Sequence, residues 1–238
     1  MLKNILKIIA VFIIGMAGGF FADQIFWPYL IERPFFYQNN LEGKEIYINE
    51  TKEIIIKENT ALENAIEKVE KVITGVKSKT GAGETLEGSG LIVAADGLIV
   101  TLADLVPQGS DFSFFIEEKA LSYQVLKRDL KENLALIQVE KDNLPTLSFA
   151  SLDDLKLGER VFLVGAAFND KINKKIVNEG IVKCFDKEII ETNIFEEEKL
   201  SGSTLFNIEG EILGLNIVNS KGEISAIPNS KIREFAGF

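Results

Sequence analysis

KLSGSTLFNIEGEILGLN, residues 199–216, is the stretch that decides the fold. Ser201 and the glycine after it are followed by two apolar runs, residues 204–206 and 212–217, which flank a turn containing Gly210. Two short apolar runs separated by such a turn predict a β-hairpin. The stretch therefore predicts a serine held just before a hairpin, where its hydroxyl is well placed to act as a nucleophile.

The overall composition favours a folded acidic protein and argues against several classes of function. The chain has 238 residues, of which 46% are hydrophobic, enough for a membrane segment and one two-lobed domain. Its net charge of -10 argues against a nucleic-acid partner, because phosphate binding needs a basic surface. The chain contains no histidine and a single cysteine, Cys184. We therefore expect no metal site, no internal disulfide and no cofactor.

Residues 1–27 carry an apolar segment that predicts a membrane anchor. No residue from position 8 to position 22 is charged, and a helix over residues 5–27 can cross a bilayer core of about 30 Å. Lys3 and Lys7 precede the uncharged stretch 8–22, and the acidic residues Asp23 and Glu32 follow it. By the positive-inside rule, we expect a single-pass protein with a cytoplasmic N-terminus and an extracytoplasmic C-terminal domain.

A cleaved signal peptide is the alternative interpretation of this segment. Ala17 and Gly19 would then be the small residues of a weak cleavage site before Phe20. We favour the uncleaved anchor, because apolar and aromatic residues continue past Phe20. Gly15 and Gly19 also form a GxxxG pair, a spacing that can seat a second helix, so the sequence leaves homo-oligomerisation open.

The rest of the chain predicts a spacer followed by an all-β domain. Residues 28–58 contain proline, asparagine and many charges, which is typical of a spacer, and the domain occupies residues 59–238. Asn59 is a suitable N-cap for a helix over residues 60–71. Short β-forming runs then alternate with turn residues, which predicts two lobes of about six strands and a final helix. The lobes span about 72–142 and 145–228, the strands are 72–77, 88–93, 98–102, 112–116, 121–128, 134–139, 147–149, 160–165, 176–184, 188–192, 204–206, 212–219 and 223–227, and the helix is 229–235.

These segments resemble the trypsin-like serine proteases of the HtrA (Deg) type, whose signature GNSGGPL continues into a similar hairpin. The resemblance extends from Asn59 to the C-terminus and implies a chymotrypsin/trypsin-like double β-barrel. Many members of that family also carry a PDZ domain, which we do not expect in this chain. The residues that match the serine signature are Ser201, Gly202, Leu205, Asn207, Gly210, Glu211, Gly214 and Asn216, and further matching segments are 88–93, 96–101, 157–161, 180–182 and 226–228.

The resemblance implies a Ser-His-Asp triad, and this chain departs from it at two of the three positions. Asp104 stands at the position of the histidine, and Asn133 stands at that of the aspartate. A carboxylate is a poor general base for a serine hydroxyl and cannot pass a proton to the leaving amine at neutral pH. An asparagine at the second position would hold an imidazole in the wrong tautomer. Ser201 alone keeps the residue type of the family.

The oxyanion site implied by the resemblance is altered as well. Lys199 replaces a glycine whose amide, together with that of Ser201, would stabilise the oxyanion. Residues 196–198 are all glutamates, and they add negative charge where the transition state develops more. A Ser/Lys dyad through Lys199 is an alternative catalytic arrangement. It requires a lysine with a depressed pKa, whereas neighbouring glutamates are expected to raise that pKa.

Two classes of function remain. The first is a pseudoprotease, a membrane-anchored protein of trypsin-like fold that binds an extended peptide or protein partner, or organises a complex, outside the cytoplasm. The second is an active HtrA-like endopeptidase that uses Ser201 with a nonstandard base. The losses at Asp104, Asn133 and Lys199 favour the first class. For peptide binding, we expect the exposed strand edge to come from residues 212–219.

Overall fold

The computed structural model describes residues 2–22, 24, 60–116, 119–169 and 172–238. The chain divides into two units, Met1–Glu58 and Asn59–Phe238. In the first unit, helix α1 (Leu2–Phe21) contains a 19-residue stretch with a mean hydropathy of 2.0. This stretch is long and apolar enough to cross a membrane, although a signal sequence has the same properties. The predicted spacer, residues 28–58, lies outside the described residues.

The second unit begins with helix α2, residues 60–69, which continues into the 3-10 turn Glu70–Val72. The helix was predicted to extend to residue 71, but its α-helical part ends at residue 69 and the 3-10 turn follows. Its apolar face is buried, with Ala65 5% and Val69 0% exposed. Burial of this face fixes the direction in which the chain enters the first strand.

The first lobe is a curved seven-stranded antiparallel sheet whose strand order is β5-β4-β1-β2-β3-β7-β6. Its two outermost strands, β5 and β6, are separated in the chain only by Ser122. The two ends of the sheet therefore meet at this corner, as a barrel-like lobe requires. The strands are β1 (Ile73–Lys79), β2 (Thr85–Ala94), β3 (Leu98–Leu102), β4 (Asp111–Ile116), β5 (Lys119–Leu121), β6 (Tyr123–Asp129) and β7 (Leu134–Val139).

The second lobe is a closed six-stranded barrel in the order β10-β13-β12-β11-β8-β9. A C-terminal helix, α3 (Asn229–Ala236), follows its last strand. The predicted all-β double-barrel fold is therefore confirmed. The barrel strands are β8 (Arg160–Asn169), β9 (Ile172–Phe185), β10 (Ile190–Phe195), β11 (Thr204–Asn207), β12 (Ile212–Val218) and β13 (Glu223–Pro228).

Most predicted strands differ from the observed ones by up to three residues at their ends, and three differences are of another kind or larger. Residues 147–149 form no strand, and only a single parallel bridge joins Phe149 to Ile212. The short strand β5 was not predicted, because three residues carry too little of the alternating pattern to be recognised. Strands β8 and β9 are longer than predicted because they pair with each other from Arg160 to Asn169, well beyond the apolar part of β9.

One hydrophobic core runs through both lobes. It combines first-lobe residues such as Phe114 with second-lobe residues such as Phe162 and Phe206 and with Phe235 of α3. The rings of Phe162 and Phe206 stack with centroids 5.4 Å apart. A second, smaller cluster lies within the barrel. Because the larger core joins the lobes, side chains from both can be held in fixed positions along one cleft.

Candidate functional site

Asp104 and Asn133 form one hydrogen-bonded unit, although 29 residues separate them in the chain. Asp104 lies in the 3-10 turn Ala103–Leu105 after β3, and Asn133 lies just before β7. The side-chain amide of Asn133 donates to Asp104 Oδ2 at 2.8 Å, and its Oδ1 accepts the backbone N–H of Asp104 at 3.0 Å. The Asn133 carbonyl also accepts the N–H of Ala103 at 3.1 Å. Three hydrogen bonds thus fasten the turn that carries Asp104.

The backbone of Asn133 adopts the left-handed conformation, with φ of +53°. Asparagine tolerates this region better than most residues that have a Cβ atom. The local conformation and the two side-chain hydrogen bonds therefore agree with the residue type. An asparagine at this position fits Asp104 as its partner.

Ser201 follows the 3-10 turn Glu198–Leu200 and is 8% exposed. Its backbone N–H donates to the carbonyl of Glu198 at 2.9 Å. An oxyanion hole would use this amide as one of its two donors. In this structure the amide is already bonded within its own loop.

Ser89 of β2 hydrogen-bonds both the Ser201 loop and strand β8 of the second lobe. Its backbone N–H donates to the Ser201 carbonyl at 3.0 Å, and its hydroxyl accepts the N–H of Ala166 in β8 at 2.7 Å. Gly202 packs closely against Ser89 with φ of +77°, so a Cβ atom there would collide with the Ser89 carbonyl oxygen. Only glycine combines this conformation with this close approach.

Lys199 is paired with an acidic neighbour. Its Nζ lies 2.7 Å from Glu197 Oε2. The hydrogen bond and the charge of Glu197, with weaker contributions from Glu196 and Glu87, raise the pKa of Lys199 above the ordinary lysine value. Lys199 is therefore protonated at neutral pH and is not a base.

A cleft of about 510 Å³ brings all four predicted site residues together. Part of its wall comes from β2, a strand that sequence reasoning did not connect with the site. The apolar residues of the cleft wall were not predicted from the sequence either, because only the antiparallel pairing of distant strands brings them into the cleft with Ser201. The lining residues are Thr85, Leu86, Glu87, Leu102, Asp104, Leu105, Asn133, Glu198, Lys199, Ser201, Ile217 and Val218.

The predicted strand edge is present only at the end of β12. Strand β11 pairs with β12 as far as Leu215, and Asn216 exchanges backbone hydrogen bonds of 2.7 and 2.8 Å with Ser203 and Gly202. Beyond Asn216, β12 pairs with β13 alone. Because backbone groups alternate sides along a strand, those of Val218 face the same side as those of Asn216. The prediction of an edge over 212–219 was therefore too wide, since most of β12 lies between two partner strands.

The sequence profile of the trypsin-like peptidase domain family matches residues 88–215, more than half of the chain. The chain therefore belongs to this family. A probable periplasmic DegP-like serine endoprotease of Halomonas elongata is 30% identical over 138 residues, which cover 54% of this chain and 28% of that protein. Serine protease HTR4 of Rattus norvegicus is 34% identical over 164 residues, which cover 62% of this chain and 33% of that protein. These relatives support the resemblance to HtrA-type proteases.

Among solved structures, an HtrA-type protease, AlgW with a tripeptide, has a similar fold. The TM-score is 0.66 at 20% identity, over 74% of this chain and 62% of that one. This comparison supports the architecture of two β lobes. The curated relatives above are much longer than the matched region, which spans about a third of their length or less.

Proposed function

We propose that this chain is a catalytically inactive member of the trypsin-like peptidase family that binds extended segments of peptide or protein. The observation that carries the proposal is that Asp104 and Asn133 hydrogen-bond each other in the cleft that also contains Ser201. Acyl transfer needs a proton acceptor with a pKa near neutrality at the position of Asp104. That position holds a carboxylate, which accepts a hydrogen bond from the side-chain amide of Asn133. Without a base, the Ser201 hydroxyl is a weak nucleophile.

The loop around Ser201 supports the same conclusion. The amide of Ser201 donates to Glu198, so it would have to leave that bond before it could meet an oxyanion. Loss of one such donor lowers the rate by a factor of roughly 100 to 1,000. Two separate requirements of acyl transfer are therefore unmet in this arrangement.

The alternative function is an active endopeptidase in which Lys199 serves as the base for Ser201. A lysine base requires a depressed pKa, which burial away from other charges would produce. The ion pair with Glu197 shifts the pKa of Lys199 in the opposite direction. This contact favours binding without hydrolysis.

Peptide binding requires a groove and a strand edge, and neither depends on a catalytic triad. The cleft of about 510 Å³ provides the groove. The backbone of Val218 provides the edge, since β12 pairs only with β13 at this residue. An extended segment is the ligand that can pair with such an edge while its side chains contact the cleft walls.

We further propose that α1 anchors the protein in a membrane, with the domain outside the cytoplasm. The length and hydropathy of the stretch Lys3–Phe21 support this assignment. Lys3 and Lys7 on its N-terminal side favour a cytoplasmic N-terminus. The Halomonas relative is described as periplasmic, which agrees with an exported domain.

A fluorophosphonate probe tests the catalytic part of the proposal. The full chain in a nonionic detergent would be treated beside its Ser201→Ala variant, with trypsin as the positive control. We expect equal, background labelling of the two proteins. Labelling that requires Ser201 would contradict the proposal and favour the active endopeptidase.

The binding part is tested by fluorescence anisotropy with labelled extended peptides of varied composition. We expect saturable binding of some of them, without fragments detectable by mass spectrometry. If no peptide binds at a protein concentration of about 1 mM, where even an affinity of about -4 kcal/mol would be visible, the binding proposal fails.

A further inference from the structure

The cleft contains carboxylates that are not neutralised by the protein. Of the three acidic residues in its lining, Glu87 forms an ion pair with Lys77 at 2.7 Å. The cleft cation, Lys199, is paired with Glu197. Among the residues that the structure describes, the other two cleft carboxylates, Asp104 and Glu198, have no cationic partner.

Asp104 is held in one orientation before any ligand arrives. Asn133 binds its Oδ2 and its backbone N–H, and the residue is exposed. A neutral amide leaves the negative charge of the carboxylate in place, whereas the histidine implied by the family would not provide that charge. A charged group fixed by the fold loses little conformational freedom when a ligand binds.

Two further observations in the same cleft indicate a ligand independently of the charges. Ser201 lines the cleft although the residue as a whole is only 8% exposed, and no residue in the described part of the chain hydrogen-bonds its hydroxyl. The backbone of Val218 faces the side of β12 on which no strand follows β11. The Ser201 hydroxyl and the backbone of Val218 are therefore available to hydrogen-bond a ligand in the cleft.

We infer that the cleft selects extended segments that carry lysine or arginine. This inference rests on the proposed function and specifies its ligand. The ligand backbone pairs with Val218, and a basic side chain meets Asp104 and Glu198. Neighbouring side chains in an extended segment point to opposite faces, so apolar residues beside the basic one can contact other cleft walls such as Ile217 and Leu105.

The test uses three labelled peptides that differ only in charge. Each is an eight-residue peptide in which valine alternates with lysine, norleucine or glutamate. Binding to the full chain in nonionic detergent is measured by anisotropy at low and at physiological salt. We expect the lysine peptide to bind about 10-fold more tightly than the norleucine peptide, and the glutamate peptide to bind most weakly.

Charge variants locate the effect in the cleft. Asp104→Asn and Glu198→Gln should each weaken binding of the lysine peptide by about 3- to 10-fold, and should thereby narrow its advantage over the norleucine peptide. Glu209→Gln is the matched control, because it removes an equal charge from an exposed turn outside the cleft. We expect this control to bind like the unaltered protein.

The outcomes separate this inference from the proposed function. If lysine and norleucine peptides bind equally well, or if Glu209→Gln weakens binding as much as Asp104→Asn does, the charge selectivity is overturned while peptide binding stands. If none of the three peptides binds, both fail. A lysine preference that is lost in the two cleft variants and retained in the control supports the inference.

Discussion

Asn133 is the residue on which the cleft geometry depends most directly. It joins the start of β7 to the turn after β3 through hydrogen bonds of its side chain and its backbone. Its left-handed backbone conformation adds a second constraint on the residue type. The position can therefore be tested for its side-chain and backbone contributions separately.

Asn133→Gly should destabilise the protein by about 1 kcal/mol, because the side-chain hydrogen bonds are lost while the φ angle remains accessible. Asn133→Ala should cost about 1 kcal/mol more, since alanine is strained at φ of +53°. Urea unfolding followed by circular dichroism measures both variants. Equal stability of the two variants would show that the backbone conformation contributes nothing.

A second prediction at this scale concerns restoration of the triad. The double variant Asp104→His/Asn133→Asp places the residues implied by the family beside Ser201. We expect no turnover of a fluorogenic peptide, because the Ser201 amide donates to Glu198 and Lys199 occupies the glycine position. One missing oxyanion donor alone costs ~3 kcal/mol.

Lys199→Gly and Leu200→Asn should therefore be needed in addition before hydrolysis is measurable. The control for any activity is Ser201→Ala in the same background. Turnover by the double variant that disappears with Ser201→Ala would show that the oxyanion loop is competent as it stands. The argument from the Ser201 amide would then be wrong.

At the scale of elements, strand β2 and the Ser201 loop are packed too closely for a side chain between them. Gly202→Ala should destabilise the protein by about 2 kcal/mol or more. The Cβ atom of alanine would collide with the Ser89 carbonyl oxygen, and alanine is also strained at the positive φ of this position. Gly109→Ala is the matched control, since φ is +81° there and a Cβ atom would meet nothing within 4 Å. This control should lose only about 1 kcal/mol. Equal losses in urea unfolding would contradict the close packing.

Helix α3 is tied to both lobes by Lys231. Its Nζ lies 2.7 Å from Glu132 Oε2 and 2.5 Å from Glu188 Oε2. The hydrogen bond from Lys231 lowers the pKa of Glu132 below 4.5, and the hydrogen bonds to Glu132 and Glu188 raise the pKa of Lys231 above 10.5. A lowered carboxyl pKa contributes stability that is present above pH 4.5 and is lost as the pH falls through the folded-state pKa. The raised lysine pKa contributes stability that is present below pH 10.5 and is lost as the pH rises through its folded-state pKa.

Glu132→Gln should accordingly be less stable than the unaltered protein at pH 7, and the difference should shrink as the pH falls below 4.5. Urea midpoints at neutral and acidic pH measure this convergence. Glu209→Gln provides the comparison, because its exposed carboxylate lies at the tip of the β11–β12 turn. A stability difference that persists unchanged into acid would show that the ion pair is not its cause.

At the scale of the whole molecule, the charges around α1 predict the side of the membrane on which the domain lies. A C-terminal alkaline phosphatase fusion of the full chain should be active, because Lys3 and Lys7 favour retention of the N-terminus in the cytoplasm. A fluorescent reporter that folds only in the cytoplasm should be dark at the same position. The reverse pattern would contradict the proposed topology.

The sequence by itself determined the two β lobes, the apolar helix and the identities of the residues at the positions that the family resemblance assigns to the triad. These features depend on local residue type and on periods of two to four residues, which can be read along the chain. The boundaries of β3 and β7 were predicted without error for the same reason.

Only the tertiary structure decided how those residues meet. The pairing of Asp104 with Asn133, the contribution of β2 to the cleft and the bond from the Ser201 amide to Glu198 all depend on strand register and backbone dihedral angles. Residues 147–149, Leu-Ser-Phe, show the same limit, since their alternating pattern is compatible with a strand but only Phe149 finds a bridge partner, Ile212. Contacts between residues far apart in the chain settle such choices, because the stability of each hydrogen bond depends on the partner that the fold brings to it.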